Sequence, residues 1–127
     1  MDNYIITPTK YTPLIELSFK DNFLRITGDS YPENAMDVYQ PLILQLEKYF
    51  AAPKQKLQIE LNLDFISTSS KKILTDIITL LQNYYNAGHN INITWYYTDG
   101  DIEQKEQWEM FLEDVTFPYN IIPLPED

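Results

Sequence analysis

Apolar and polar residues alternate along some stretches of the chain, and this alternation predicts β-strands. Residues 14–28 predict two strands joined by a turn at Lys20, Asp21 and Asn22. Residues 57–65 and 91–97 alternate strictly, which is typical of a strand with one buried face and one face in water. In the first of these two strands, the buried face is expected to carry Leu57, Ile59, Leu61, Leu63 and Phe65.

Other stretches repeat their apolar residues every three or four positions, as amphipathic helices do. The first lies within residues 30–52, where Ser30 and Glu33 have the spacing of a capping box and Pro41 interrupts one helical hydrogen bond. The second runs from Ser69 to Ala87, and Gly88 is placed to end it. The third is acidic and lies within residues 99–115; residues 117–124 then predict an edge strand limited by prolines.

The predicted order, after a short N-terminal arm, is β-β-α-β-α-β-α-β. The central β-α-β-α-β segment requires parallel neighbouring strands with right-handed connections. Strands buried on both faces would show continuous apolar runs, whereas these strands alternate. We therefore expect an α/β fold with a two-layer mixed sheet and its helices packed on one face.

Length and composition predict one globular domain over residues 1–127. Nine basic against 19 acidic residues give a net charge of −10, which disfavours nucleic acid and anionic membranes as partners. The chain has no cysteine, which excludes disulfides, zinc-thiolate sites and thiol nucleophiles. Its N-terminus does not resemble a signal peptide, so a cytoplasmic location is expected, and no cofactor is implied.

Four hydroxyl residues in a row, at positions 67–70, follow the strand of residues 57–65. One of them, Ser67 or Thr68, is needed to cap the next helix, and the others then have no special role. Lys71 and Lys72 stand in the first helical turn, where the helix dipole disfavours cations unless an anion is near. A phosphate on this cluster would lie at a helix N-terminus beside these lysines.

The topology brings a second segment to the same edge of the sheet, because the carboxyl ends of parallel strands lie together. That segment is "GDSYPEN" at residues 28–34, which follows the second predicted strand. A loop with a helix cap accounts for its polar residues without any function. A phosphorylation-controlled binding site at this edge is the alternative that the physical argument leaves open.

The sequence offers little support for an enzyme. The only histidine, His89, follows Gly88 at a predicted helix end and is expected to be a surface residue. Residues 99–103 carry alternating carboxylates, but they lack the other ligands of an EF-hand and predict a turn and a helix cap. A hydrolase or phosphotransferase using Asp29 or Asp64 has no supporting cluster. Tyr96 is expected on the solvent face of its strand, as a weaker candidate for an interface.

The heptapeptide "GDSYPEN", the "TSS" of residues 68–70 and the "FP" of residues 117–118 together resemble the SiaC family of bacterial regulatory phosphoproteins. The resemblance covers nearly the whole chain in the same order. It implies a fold like that of STAS-type anti-sigma-factor antagonists. It also places the family's phosphorylated threonine on Thr68. Ser67 stands where the family usually has asparagine and is a second candidate phosphoacceptor, and "FPYN" replaces a more usual acidic ending.

By this resemblance, a dedicated kinase phosphorylates Thr68 and a metal-dependent serine/threonine phosphatase removes the phosphate. The unphosphorylated protein is expected to bind and activate a diguanylate cyclase, which raises cyclic di-GMP and promotes biofilm formation. A STAS-type antagonist of an anti-sigma factor is the alternative. The expected partner-binding residues are Asp29, Ser30, Tyr31, Pro32, Glu33, Asn34, Ser69, Ser70, Lys71 and Lys72.

Overall fold

A computed structural model describes residues 3–125, which form one six-stranded sheet and three helices. The elements in chain order are β1 (Tyr4–Ile6), β2 (Leu14–Ser18), β3 (Phe23–Ser30), α1 (Ala35–Tyr49), β4 (Lys56–Ile66), α2 (Thr68–Asn86), β5 (Asn90–Thr98), α3 (Ile102–Phe111) and β6 (Tyr119–Leu124).

The strands lie side by side in their chain order, from β1 at one edge to β6 at the other. The first three strands are antiparallel neighbours, and β3, β4, β5 and β6 are parallel neighbours. Each parallel connection contains one helix and moves one strand further in the same direction. Right-handed connections of this kind place all three helices on one face, so the predicted two-layer mixed sheet is confirmed.

Strand β1 is absent from the sequence-based prediction, which describes the chain before the first predicted strand only as a short N-terminal arm. Its three residues pair with β2, with Ile5 opposite Glu16. A strand this short contains too few residues to show a period-two pattern, and Pro8 and Pro13 follow it closely. Only its pairing with β2 identifies it as a strand.

The core lies between the sheet and the helices. Alternate residues of β4 and β5 point into it, as predicted, and the buried ones are Leu57, Ile59, Leu61, Leu63, Ile91, Ile93 and Trp95. Trp95 of β5 stacks on Trp108 of α3 with ring centroids 4.6 Å apart, and Trp108 Nε1 donates to the carbonyl oxygen of Tyr96 at 3.1 Å. These contacts attach α3 to the sheet.

The alternation of β4 predicts that Phe65 is buried, but Phe65 is 57% exposed and the next residue, Ile66, is buried. The pairing of β3 with β4 explains the difference. Gly28 pairs with Leu63 and Ser30 pairs with Ile66, so β4 has one residue more than β3 over this interval. Such a bulge reverses the side to which the following side chains point, and the prediction assumes unbroken alternation.

The start of α1 also differs from the prediction. Ser30 does not form a capping box with Glu33, because Ser30 is the last residue of β3 and is buried. Asn34 is the N-cap, and its side-chain oxygen accepts a hydrogen bond from the backbone N–H of Met36 at 3.1 Å. Asparagine is as good a cap as serine, so local sequence does not distinguish the two.

The ends of α2 agree with the sequence to within one residue. Ser67 is the N-cap, which decides between the two candidates, and its Oγ accepts from the backbone N–H of Ser70 at 3.3 Å. Gly88 follows the last turn with φ of 107°, a left-handed conformation that glycine adopts at low cost. The N-cap of α3 is Asp101, so the predicted turn and cap in residues 98–103 are confirmed.

His89 is buried, although its place after Gly88 predicts a surface residue. Its Nδ1 accepts a hydrogen bond from the backbone N–H of Gln55 at 3.0 Å, and its ring packs against Phe50 and Tyr84. It precedes β5, so it lies at the amino ends of the parallel strands, opposite the edge that carries residues 67–70. Its contacts are those of a core residue.

Candidate functional site

The segments 28–34 and 67–70 meet at the carboxyl edge of the parallel strands, as the topology predicts. We call these two segments together the rim. The backbone N–H of Ser67 donates to the carbonyl oxygen of Ser30 at 2.8 Å, which joins the end of β3 to the start of α2. The two motifs are therefore parts of one surface.

Buried hydroxyl groups connect the rim to the core. Ser30 Oγ donates to Ser70 Oγ at 2.8 Å and shares a hydrogen bond of 2.6 Å with Tyr39 Oη. Ser67 Oγ donates to Ser70 Oγ at 3.1 Å. Burial raises the pKa of Tyr39, an effect that its hydrogen bond with Ser30 partly offsets. The network links β3, α1 and α2 through side chains that are satisfied inside the protein.

Ser30 and Ser70 are among the expected partner-binding residues, but both are 0% exposed. Their hydroxyls bond to each other rather than pointing into solvent. The structure therefore does not support direct contact of these two side chains with a partner. They hold the two motifs together, and sequence could not separate this role from surface recognition.

Thr68 is the first residue of α2, and its side chain is exposed. Ser69 is also exposed, whereas Ser67 is half-buried and uses its hydroxyl as the helix cap. Lys71 and Lys72 follow Thr68 by three and four positions, the spacings at which helical side chains are neighbours. A phosphate on Thr68 would therefore have two ammonium groups nearby.

The remaining predicted residues of segment 28–34 have separate positions. Asp29 Oδ1 accepts the backbone N–H of Phe65 at 3.0 Å, so this carboxylate supports the bulge in β4. Pro32 is half-buried and Glu33 is exposed. Asn34 is exposed and caps α1. Glu33 is thus the acidic residue of this segment that is most available for contact.

One aromatic residue of the rim, Tyr31, packs against two aromatic residues beside the rim, Tyr11 and Phe65, and we call these three side chains the aromatic trio. Tyr31 makes edge-to-face contacts with both others, at centroid distances of 5.2 Å to Tyr11 and 5.5 Å to Phe65. The backbone N–H of Tyr31 also donates to the carbonyl oxygen of Tyr11 at 2.8 Å. Tyr11 and Phe65 are exposed and Tyr31 is half-buried, and aromatic side chains that reach the surface in this way are typical of protein-binding surfaces.

Sequence reasoning identifies Tyr31 but misses Tyr11 and Phe65. Tyr11 lies in the N-terminal arm, and the alternation of β4 assigns Phe65 to the buried face. A signal for Phe65 was available, because the apolar run Phe65-Ile66 breaks the alternation of its strand. No comparable signal marks Tyr11.

Among residues 3–125, no group of three or more histidine, cysteine, aspartate or glutamate side chains is arranged to hold a metal ion. Over the same residues, no helix has the length and apolar character needed to cross a membrane. The features that stand out at the rim and beside it are the exposed hydroxyls of Thr68 and Ser69, the two lysines that follow them and the aromatic trio.

Comparison with known proteins agrees with this arrangement. Residues 6–124 match the family model of SiaC family regulatory phosphoproteins. An uncharacterized protein of Pseudomonas aeruginosa strain UCBPP-PA14 is 32% identical over 121 residues, which cover 95% of this chain and 96% of that protein.

Two solved structures from Pseudomonas aeruginosa are similar over nearly their full length. One is a chain of the crystal structure of diguanylate cyclase SiaD in complex with its activator SiaC, with a TM-score of 0.92, 31% identity, and coverage of 95% of this chain and 99% of that one. The other is apo-SiaC, with a TM-score of 0.91, 32% identity, and coverage of 96% and 99%.

Proposed function

The chain belongs to the SiaC family of regulatory phosphoproteins, and from this premise we propose that it binds and activates a diguanylate cyclase under the control of phosphorylation at Thr68. The similarity to a chain of the SiaD–SiaC complex supports this partner class. The observation that carries the switch is the position of Thr68, exposed at the start of α2 on the rim to which Tyr31 of the aromatic trio also belongs.

In this proposal, the unphosphorylated rim contacts the cyclase through the aromatic trio, with Glu33 and Ser69 beside it. A phosphate on Thr68 adds about −1.5 to −2 charge and a tightly held hydration shell. Burying that group against an aromatic surface costs free energy, so the contact is lost. Lys71 and Lys72 stabilise the phosphorylated form of the free protein, and the fold stays intact.

The proposal includes two further partners, a dedicated kinase and a metal-dependent serine/threonine phosphatase, and a cytoplasmic location with no enzymatic activity of its own. Thr68 is accessible to both enzymes because its side chain is exposed. The buried contacts of Ser30 and Ser70 keep the segment in one conformation while the phosphate is added or removed.

The decisive experiment measures cyclic di-GMP synthesis by the cognate cyclase with the purified protein added. We expect stimulation by the wild type and by Thr68→Ala, and little stimulation by the phosphorylated protein or by Thr68→Glu. Leu44→Glu is the matched control, because it adds the same charge at an exposed position of α1, outside the rim. Absence of stimulation by every form would contradict the proposed activation, and equal loss in Leu44→Glu and Thr68→Glu would contradict the specific role of Thr68.

A further inference from the structure

An open groove of about 560 Å³ separates α2 from α3. On α2 its wall follows one helical stripe from Lys71 through Thr75 and Ile78 to Asn83. This stripe spans twelve residue steps, or about 18 Å at the rise of an α-helix. On α3 and the residues after it, the facing wall includes Met110, Phe111 and Val115.

The surface of the groove is more apolar than the threonines in its lining would suggest. Thr75 Oγ1 donates to the carbonyl oxygen of Lys71 at 2.9 Å, and Thr79 Oγ1 donates to that of Thr75 at 3.1 Å. Because these hydroxyls already donate to carbonyl groups within the helix, they need no hydrogen bond from a bound partner, and the threonine methyl groups contribute apolar surface. Met110, on the opposite wall, is 70% exposed.

Hydrogen bonds hold the two walls in place. Gln82 of α2 receives the backbone N–H of Thr116 at 2.8 Å and donates to its hydroxyl at 2.8 Å. At the start of α3, Gln104 Nε2 donates to the carbonyl oxygen of Leu63 at 3.3 Å. The hydrogen bonds described for residues 3–125 include none between α2 and α3 themselves. Gln82 therefore ties α2 to the chain that follows α3, and Gln104 ties the start of α3 to β4, so both walls of the groove are held by hydrogen bonds.

An acidic hollow continues the groove past Gln107 and Met110, which line both. It is lined by four carboxylates, those of Asp64, Asp101, Glu103 and Glu106. None of these four forms a salt bridge with another described residue. The surface around α3 therefore attracts cations and repels anions such as nucleotides and anionic lipids.

From this geometry, and resting on the proposed function, we infer that the groove between α2 and α3 binds a basic amphipathic helix of the diguanylate cyclase. Two facing helices with an apolar floor accommodate the apolar stripe of a third helix. A length of about 18 Å corresponds to about three helical turns. Lysine or arginine residues beside that stripe would face the acidic hollow. No residue of the aromatic trio lines the groove or the acidic hollow, so this contact is a second attachment point for the same partner.

The test measures the affinity of the full-length cognate cyclase for variants of the unphosphorylated protein. Met110→Glu places a charge in the groove and is expected to weaken binding about tenfold, as the loss of an interface hot spot does. Leu44→Glu is the matched control, since Leu44 is an exposed apolar residue of α1 outside the groove. Unchanged thermal midpoints establish that both variants are folded.

Charge reversal tests the chemistry of the partner helix. Glu106→Lys is expected to slow association and to reduce its salt dependence, whereas Glu47→Lys on α1 leaves both unchanged. Stronger binding by Glu106→Lys would overturn the basic character of the helix. If the free protein forms dimers and Met110→Glu abolishes them, the groove binds a second copy of this chain, and the inference is overturned.

The two proposals fail in different ways. If the Met110→Glu variant binds the cyclase as tightly as the wild type does, the groove proposal is overturned and the proposed function stands. Absence of wild-type binding to the cyclase overturns both.

Discussion

Ser30 and Ser70 lie forty positions apart in the chain and share a buried hydrogen bond of 2.8 Å. The bond joins the last residue of β3 to the first turn of α2, and a second hydrogen bond, between Ser30 and Tyr39, connects both to α1. Two motifs that look like separate surface loops in the sequence are thereby held as one structure.

Removing the Ser70 hydroxyl is expected to destabilise the protein. Ser70→Ala leaves the Ser30 hydroxyl without one of its buried partners, at a cost of about 1–3 kcal/mol in the free energy of unfolding. Urea denaturation measures this cost. Ser69→Ala is the control, because Ser69 is exposed, and equal stability of the two variants would contradict a structural role for the network.

Phosphate is expected on Thr68 and not on Ser67. The Ser67 hydroxyl is half-buried and donates its proton to the buried Ser70 hydroxyl, so its modification would remove this donor and place a charged group against the buried network. Intact mass and peptide mapping after reaction with the cognate kinase locate the phosphate. The prediction would be contradicted if the kinase phosphorylates Ser67 in the Thr68→Ala variant as fast as it phosphorylates the wild-type protein.

Phe65→Ala is expected to weaken cyclase binding by about tenfold or more without a large loss of stability, because Phe65 is mostly exposed and belongs to the aromatic trio. Isothermal titration calorimetry measures the affinity. Leu44→Ala removes a comparable exposed side chain from α1 and is expected to bind as the wild type does. Equal affinities of the two variants would place the contact elsewhere.

Alkaline pH is expected to destabilise the protein partly through Tyr39. Burial raises the pKa of this phenol above its usual 10.0, so the folded protein holds the proton more tightly than the unfolded chain does. The resulting stability is present below pH about 10 and is lost as the pH rises through the raised pKa. Tyr39→Phe should therefore show a smaller loss of unfolding free energy between neutral and alkaline pH. Tyr119→Phe, at an exposed position, serves as the control.

The sequence predicted most of the fold because hydrophobic periodicity is a local property. It located β2 to β6 and all three helices, and the alternation of strands and helices placed residues 28–34 and 67–70 at one edge. Its errors at Phe65, Ser30 and His89 share a physical cause. In each case a contact with a residue distant in the chain decides the burial or the pairing: Asp29 and the β3 register for Phe65, Ser70 for Ser30, and Gln55 for His89.

By itself, the sequence determined the order of the elements from β2 onward, the acidic charge and the three motifs that mark the family, because these depend on residue identity and spacing. Only the tertiary structure decided which of the four hydroxyls at positions 67–70 is buried, which caps the helix and which are exposed. It also decided that Tyr11 joins Tyr31 and Phe65, and that a groove remains between α2 and α3. Packing between distant segments determines these features, and the local pattern of the chain does not encode them.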